Sequence, residues 1–475
     1  MHVHLIGVAG TGMGSFAGLL KALGHRVTGS DTAFHPPMGD ALRAYGVETV
    51  LGFDPAHLEP PPDLVVVGNV CRPSNPEARA AVDRGLNYKS FPKAYAELVL
   101  GDRRSLVVTG THGKTTTTAL VAFLLDALGL DPTFLVGGLC RNFDASFRLG
   151  RGSLCVTEGD EYDSAFFEKV PKCWSYRPWS AILTSLEHDH LDIYPTPDSY
   201  RDAFRGFVSR LSPSGVLVAH GADPEVRRVA CEAPGRVVYY GLAGDPTPEP
   251  HARTWEAAAI APSGAGQPFE LFVGGSLAGR FVSPLVGEHN LRNVVGALCL
   301  LSEALGLPPA ATAKHLPRFQ GVKRRQEVLG APGGVTVYDD FAHHPTAVRE
   351  TLLALKTHHP GGRLVAVFEP RSATACRRLH QDDYPGAFTA ADLALIAPVG
   401  RKDLADNEKL DVPRLVQDLG TLGVRASTVA PGDASTEALV ALVTEYVHPG
   451  DVVAVLSNGA FGGFHGRLLE ALGAR

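Results

Sequence analysis

Short apolar, β-branched runs alternate with stretches of helical period along almost the whole chain, and few folds accommodate that alternation. The pattern predicts strands at His4–Val8, Leu64–Val67, Ser105–Val108, Ala181–Thr184, Val216–Ala219, Leu364–Phe368 and Val452–Leu456. Strands that take turns with helices build βαβ units, which assemble into mostly parallel sheets. The 475 residues give room for about three α/β domains at roughly 150 residues each. Breaks fall near 100–104 and near 317–320, dividing the chain into 1–101, 102–318 and 319–475. Pro246–Gly275, dense in Pro and Gly, is expected to hold irregular loops or a β excursion.

Charge and cysteine usage narrow the function classes. With 44 basic against 50 acidic residues the net charge is −6, which argues against a nucleic-acid partner. The seven cysteines form no Cys-x-x-Cys pair, so neither a disulfide framework nor a structural zinc site is expected. The opening MHVHLIGVAGTGMG lacks the basic start and small-residue cleavage site of a signal peptide. No apolar run reaches the roughly 18 residues of a membrane span, since Asp126 interrupts Thr118–Leu130. A cytoplasmic protein without membrane or nucleic-acid partners is expected.

Two glycine turns carry nucleotide chemistry. Gly7, Gly10, Gly12 and Gly14 follow the first strand and precede a helical run, where free backbone N–H groups face an anion. Asp31, closing the next strand, is placed to accept a ribose hydroxyl. A dinucleotide fingerprint would put Gly at position 9, which is Ala, so the reading is a nucleotide diphosphate other than NAD, against plain strand–helix packing. The second turn, Gly110-Thr111-His112-Gly113-Lys114-Thr115, is sharper and predicts ATP binding. Its amides would surround phosphates, Lys114 would neutralise their charge and the Thr115 hydroxyl would ligate Mg²⁺. Position 108, where the strict pattern has Gly, is Val, so the loop is a shortened variant.

Acidic clusters end two later strands, at Glu158-Gly-Asp-Glu161 and at Glu187-His-Asp-His190-Leu-Asp192. In a parallel sheet these ends line the ligand crevice, and carboxylate with imidazole there suits Mg²⁺ beside phosphate. A rival reading takes His188-x-His190-x-Asp192 as part of a metallo-hydrolase motif, but position 193 is Ile instead of His. Asn290 and Asn293 share a helix face and suit an adenine edge. Lys323-Arg324-Arg325 and Tyr338–Pro345 add basic and acidic groups that an ordinary surface would also carry. Arg371, Ser457 and Asn458 stand at strand ends in the last third, where Arg371 suits a bidentate grip on a carboxylate. Lys402 and Asp406–Glu408 lie on a loop nearby.

Taken together, Gly12-Met13, the GTHGKT loop, Glu158, Asp189-His190, His289-Asn290 with Asn293, and Asp340–Pro345 resemble the Mur ligases of peptidoglycan precursor synthesis. The resemblance runs nearly the full length. It implies an N-terminal Rossmann-like UDP-binding domain, a central P-loop ATPase domain and a C-terminal Rossmann-like α/β domain that closes over the site. The implied UDP-sugar contacts are Gly7, Gly10, Thr11, Gly12, Met13, Asp31 and Asn69. Those for ATP are Gly110, Thr111, His112, Gly113, Lys114, Thr115, Thr116, Asn290, Asn293, Arg325 and Asp340. Lys114, Glu158 and His190 would be catalytic; Thr115, Glu158 and His190 would hold Mg²⁺; and Arg371, Ser457 and Asn458 would meet a peptide. Within the family, the stretches from Glu158, Glu369 and Ser457 resemble the branch that joins UDP-N-acetylmuramate to the tripeptide L-Ala-γ-D-Glu-meso-diaminopimelate through an acyl phosphate. The sister branch adds free L-alanine. The family's carbamylated lysine has no counterpart, because the matching position is Phe204. A monomer or weak homodimer is expected. A P-loop regulatory ATPase and a metallo-hydrolase stand as the readings of other classes.

Overall fold

The computed structural model describes residues 1–246, 253–260, 266–400, 404–429 and 435–474. Three large sheets follow one another along the chain. The first is five-stranded and wholly parallel, in the spatial order Glu48–Leu51, Arg26–Asp31, His2–Ile6, Leu64–Val67, Tyr88–Ser90. The ten-stranded central sheet is parallel from Arg253–Ala259 through Arg236–Leu242, Val216–His220, Ser180–Leu183, Arg104–Thr109 and Leu154–Gly159 to Thr133–Cys140. Antiparallel strands extend it at both edges. Gln267–Val273 and Ser276–Ser283 form one extension, the excursion expected from the Pro/Gly-rich segment. The last sheet has six strands, parallel except for Glu327–Gly330 on its edge. The first strand ends at Ile6 and not at Val8, since the glycine turn already begins at Gly7 (φ +82).

The helix after the second glycine turn, Lys114–Ala127, is buried along Thr115–Leu125 on every side. It lies between the central sheet and helix Glu288–Leu305, which explains why its run Ala119–Leu125 is continuously apolar and lacks a solvent stripe. The glycine turn at its N-terminus is thereby clamped between buried elements.

The hydrophobic cores are divided differently from the sheets. One cluster runs through residues of both the first and the central sheet units, joining Phe16, Phe91 and Tyr95 to Tyr176, Tyr200 and Phe204. Tyr95 is fully buried, packs edge-on to Tyr176 at 5.6 Å between ring centroids, and its hydroxyl meets Thr157 Oγ1 at 2.9 Å. The last sheet instead has one cluster on each face, drawn from residues 335–472 alone. Apolar burial therefore welds the first two units, whereas the third, beyond Phe319 and Val322 in the central core, meets them mainly through polar contacts. Tyr95→Ala is expected to cost about 3–5 kcal/mol by opening a cavity at the weld. Tyr95→Phe, which removes only the hydroxyl's contacts with Thr157 and Cys155, is expected to cost about 1–2 kcal/mol. Denaturant titration checks both, and equal losses would contradict the cavity account.

Candidate active site

The central site is built where strand Arg104–Thr109 turns into helix Lys114–Ala127. Gly110 (φ +132) and Gly113 (φ +81) adopt backbone conformations that side chains disfavour, so the turn stays tight, and between them the Thr111 and His112 amides donate to Ser185 at 3.0 and 2.9 Å. A Cβ on Gly113 would stand 2.5 Å from Asn293 Oδ1, so the Asn293 side chain lies directly on the turn. Asn293 Nδ2 reaches Asn290 Oδ1 at 3.4 Å, and Asn290 donates to Gln326 at 3.2 Å. The expected glycine turn and asparagine pair are thus one assembly. Thr111 is fixed by Tyr200 at 3.0 Å and by the Glu187 carbonyl at 3.0 Å; Thr116 is buried on the helix's first turn.

Lys114 does not point into open space. Its ammonium donates to the Gly110 carbonyl at 2.6 Å and to Glu161 Oε1 at 3.1 Å. Glu161 Oε2 is closer, at 2.9 Å, but lacks an aligned donor. Glu161, only 2% exposed, also takes the His190 imidazole at 3.0 Å. Burial pushes the Glu161 carboxyl upward, but the Lys114 charge and the His190 hydrogen bond outweigh it and hold the group ionised. Likewise burial lowers Lys114 and His190, and Glu161 outweighs it at both, raising them. His190 sits at φ +55, a left-handed conformation that costs a non-glycine residue about 1–2 kcal/mol, held by this bond and by Asp189 accepting from the His190 amide at 2.7 Å.

The expected metal trio is therefore divided. Thr115 donates to Glu158 Oε1 at 2.8 Å, and Glu158 Oε2 accepts the Gly137 amide at 2.7 Å. His190 belongs to Glu161 instead. Burial raises the Glu158 carboxyl above its ordinary value, against the pull of Gly137 and Lys114. A hydroxyl and a carboxylate oxygen, side by side, are the hard donors that Mg²⁺ prefers. Glu161 stood in the acidic cluster of the sequence, yet nothing in the spacing distinguishes it from Glu158. Only the end of the strand at Gly159 separates their surroundings.

The last sheet reaches this site along a polar seam. Arg325 lies 3.5 Å from Thr115 Oγ1 and over the Phe341 ring. Asp340 is buried and spends both oxygens on backbone amides, Gln326 at 2.7 Å and Ala342 at 2.8 Å. Its observed contacts thus pin the chain that carries Arg325. Thr374 donates to Asp189 at 2.8 Å. Arg371, half exposed, crosses Gly459 at the ends of neighbouring strands Leu364–Phe368 and Val452–Leu456. Ser457 donates to Glu369, while the buried Asn458 Oδ1 has no partner. The three expected peptide residues are brought together. Lys402 lies outside the described residues.

A separate cleft of about 500 Å³ opens in the first sheet unit, lined by Gly10, Asp31, Arg72 and Asn75 among others. Asp31 accepts the amides of Ala9 at 2.8 Å and Thr32 at 2.7 Å, so it shapes the glycine turn. Gly7, Thr11 and Gly12 belong to the same turn and helix start; Met13 is buried in the core and Asn69 is exposed after Leu64–Val67. Arg72, which a phosphate would attract, carried no signal in the sequence. All seven cysteines are free, and among the described residues no helix is long and apolar enough to cross a membrane.

Comparison with known proteins agrees with this layout. Residues 2–103 match the Mur ligase family catalytic domain, 108–301 the Mur ligase middle domain, and 324–459 the Mur ligase glutamate ligase domain. The UDP-N-acetylmuramate–L-alanyl-γ-D-glutamyl-meso-2,6-diaminoheptandioate ligase of Escherichia coli is 36% identical over 474 residues, covering 99% of this chain and 98% of that protein. The UDP-N-acetylmuramate–L-alanine ligase of Kineococcus radiotolerans is 37% identical over 451 residues, 91% of each. The crystal structure of a murein peptide ligase from Psychrobacter arcticus superposes with a TM-score of 0.71 at 32% identity, covering 100% of this chain and 99% of that one. The chain belongs to the Mur ligase family.

Proposed function

We propose that the chain joins UDP-N-acetylmuramate to L-alanyl-γ-D-glutamyl-meso-diaminopimelate at the expense of ATP, in the cytoplasm, with three functional domains at 1–101, 102–318 and 319–475. The observation that carries the substrate assignment is the likeness over 99% of the chain to the E. coli ligase of that specificity. A second reading, ligation of free L-alanine, is favoured by the likeness to the K. radiotolerans enzyme.

The chemistry follows from what an amide bond needs. A carboxylate is a poor electrophile, so the sugar's lactyl carboxylate takes the γ-phosphoryl group of ATP, releasing ADP. The peptide's α-amine then attacks the acyl carbon, and phosphate leaves with its bonding pair. Lys114 and the N-terminus of the helix it opens counter the phosphoryl charge as it moves, and phosphoryl transfer is catalysed chiefly by such positioning and charge stabilisation. Thr115 and Glu158 would hold Mg²⁺, which supplies further charge neutralisation when bound. Asn290 and Asn293 suit the adenine, the cleft at Gly10 and Asp31 suits the diphosphate, and Arg371 with Ser457 and Asn458 suits the peptide carboxylates.

The test is ADP release with each substrate omitted in turn. Release is expected only with UDP-N-acetylmuramate, tripeptide and ATP all present, with the joined product found by mass. ADP release from ATP alone at the full rate would mark a regulatory ATPase and overturn the reading.

Lys114→Ala should lower turnover about 10²–10³-fold, the usual effect of losing one such charge contact. It should also destabilise the fold, because Glu161 keeps a buried charge with only His190 to meet it. Without Lys114, burial lifts the Glu161 carboxyl, so protonation favours the folded variant and the deficit shrinks as pH falls. Lys114→Ala combined with Glu161→Gln should recover stability without activity. Thermal melts at two pH values and turnover assays check this, and an unaltered melting temperature in the single variant would contradict it.

A further inference from the structure

One cluster of metal-ligating groups joins His112 of the glycine turn to two residues given no role above, Glu187 and His344. His112 is in the glycine turn, Glu187 follows strand Ser180–Leu183, and His344 caps helix Pro345–His358 of the last sheet unit. His112 Nε2 is 2.7 Å from Glu187 Oε2, and His344 Nδ1 is 3.6 Å from the same oxygen. One ligand atom from each residue lies within 4.8 Å of the other two. His344 is 8% exposed, and its Nε2 is buried with no hydrogen-bond partner.

We propose that His112, Glu187 and His344 form a binding site for one borderline transition-metal ion of the Zn²⁺ class, bridging the phosphate-binding turn to the C-terminal unit. Two imidazoles and one carboxylate select such ions over Mg²⁺, which prefers the oxygen pair at Thr115 and Glu158. In a tetrahedral site with metal–ligand bonds near 2.0–2.1 Å, ligand atoms stand about 3.3 Å apart, so modest side-chain rotation closes the observed spacing. Three protein ligands leave a position for water. A cleft of about 500 Å³ bordered by Glu187, His344, Thr346, Arg349, His380 and Asp383 gives the ion an entry path. Thr346 donates to Glu187 Oε1 at 3.1 Å, an outer contact that orients the carboxylate and leaves Oε2 to the imidazoles.

The same geometry would arise if the three residues were only a hydrogen-bonded latch. Titration of the chelator-treated full chain with Zn²⁺ by calorimetry, and with Co²⁺ by its visible ligand-field bands, separates the two. The comparison includes Glu158→Gln, Glu187→Gln and His344→Asn, the last keeping an N-cap acceptor for the Thr346 amide. One equivalent is expected to bind to wild type and to Glu158→Gln alike, with imidazole ligation visible in zinc-edge X-ray absorption. Affinity is expected to fall about a hundredfold in Glu187→Gln and His344→Asn, since losing even an outer partner costs 10–100-fold. Circular dichroism confirms that each variant is folded. No bound equivalent in wild type, or an equivalent that neither seam variant weakens, would overturn the site and leave the latch.

Discussion

A carboxylate that is almost wholly buried, Glu161, must be met by positive charge or the site around it cannot hold together. It is met twice, by the Lys114 ammonium and by His190. That double pairing sets the direction of the lysine, keeps its charge at the mouth of the glycine turn, and helps hold a histidine backbone in a left-handed conformation. Pairing of this kind adds little net stability, because desolvation consumes most of the Coulomb gain. What it provides is position: one charge placed where transferred phosphate would sit.

The same economy explains how the units are joined. Between the first two, a shared aromatic core around Tyr95 leaves little freedom of relative movement. Between these and the third, the contacts are hydrogen bonds and ion pairs, such as Thr374 to Asp189, Thr346 to Glu187 and Arg325 to Thr115. Water can replace such contacts at small cost, whereas an apolar weld must be torn open. A hinge, where one exists, therefore lies before the third unit and not before the second.

Much of this was legible in the chain. The strand–glycine–helix sequence from Ser105 onward carried the turn and its helix, because glycine at positive φ and a following apolar run leave few alternatives. Asn290 and Asn293 were placed on one face by helical spacing alone. What the spacing could not carry was partnership across distance. Glu158 and Glu161 are three residues apart, yet one faces Thr115 and the other Lys114, a difference decided by where a strand ends and how Tyr194, Tyr200 and His190 pack. Nor does the run Lys114–Ala127 by itself reveal burial on all sides, since that depends on a second helix some 170 residues later. Arg72 was invisible for the same reason: a lone arginine becomes a candidate only beside a cleft.

The central claim is that this Mur ligase takes a peptide and not a single amino acid as its amine donor. It is tested most directly by kcat/KM for L-alanine, L-alanyl-γ-D-glutamate and the full tripeptide, side by side, with UDP-N-acetylmuramate and ATP. For a peptide ligase the value is expected to rise with each added residue and to be highest for the tripeptide. A higher value for free L-alanine would contradict the claim and assign the chain to the alanine-adding branch.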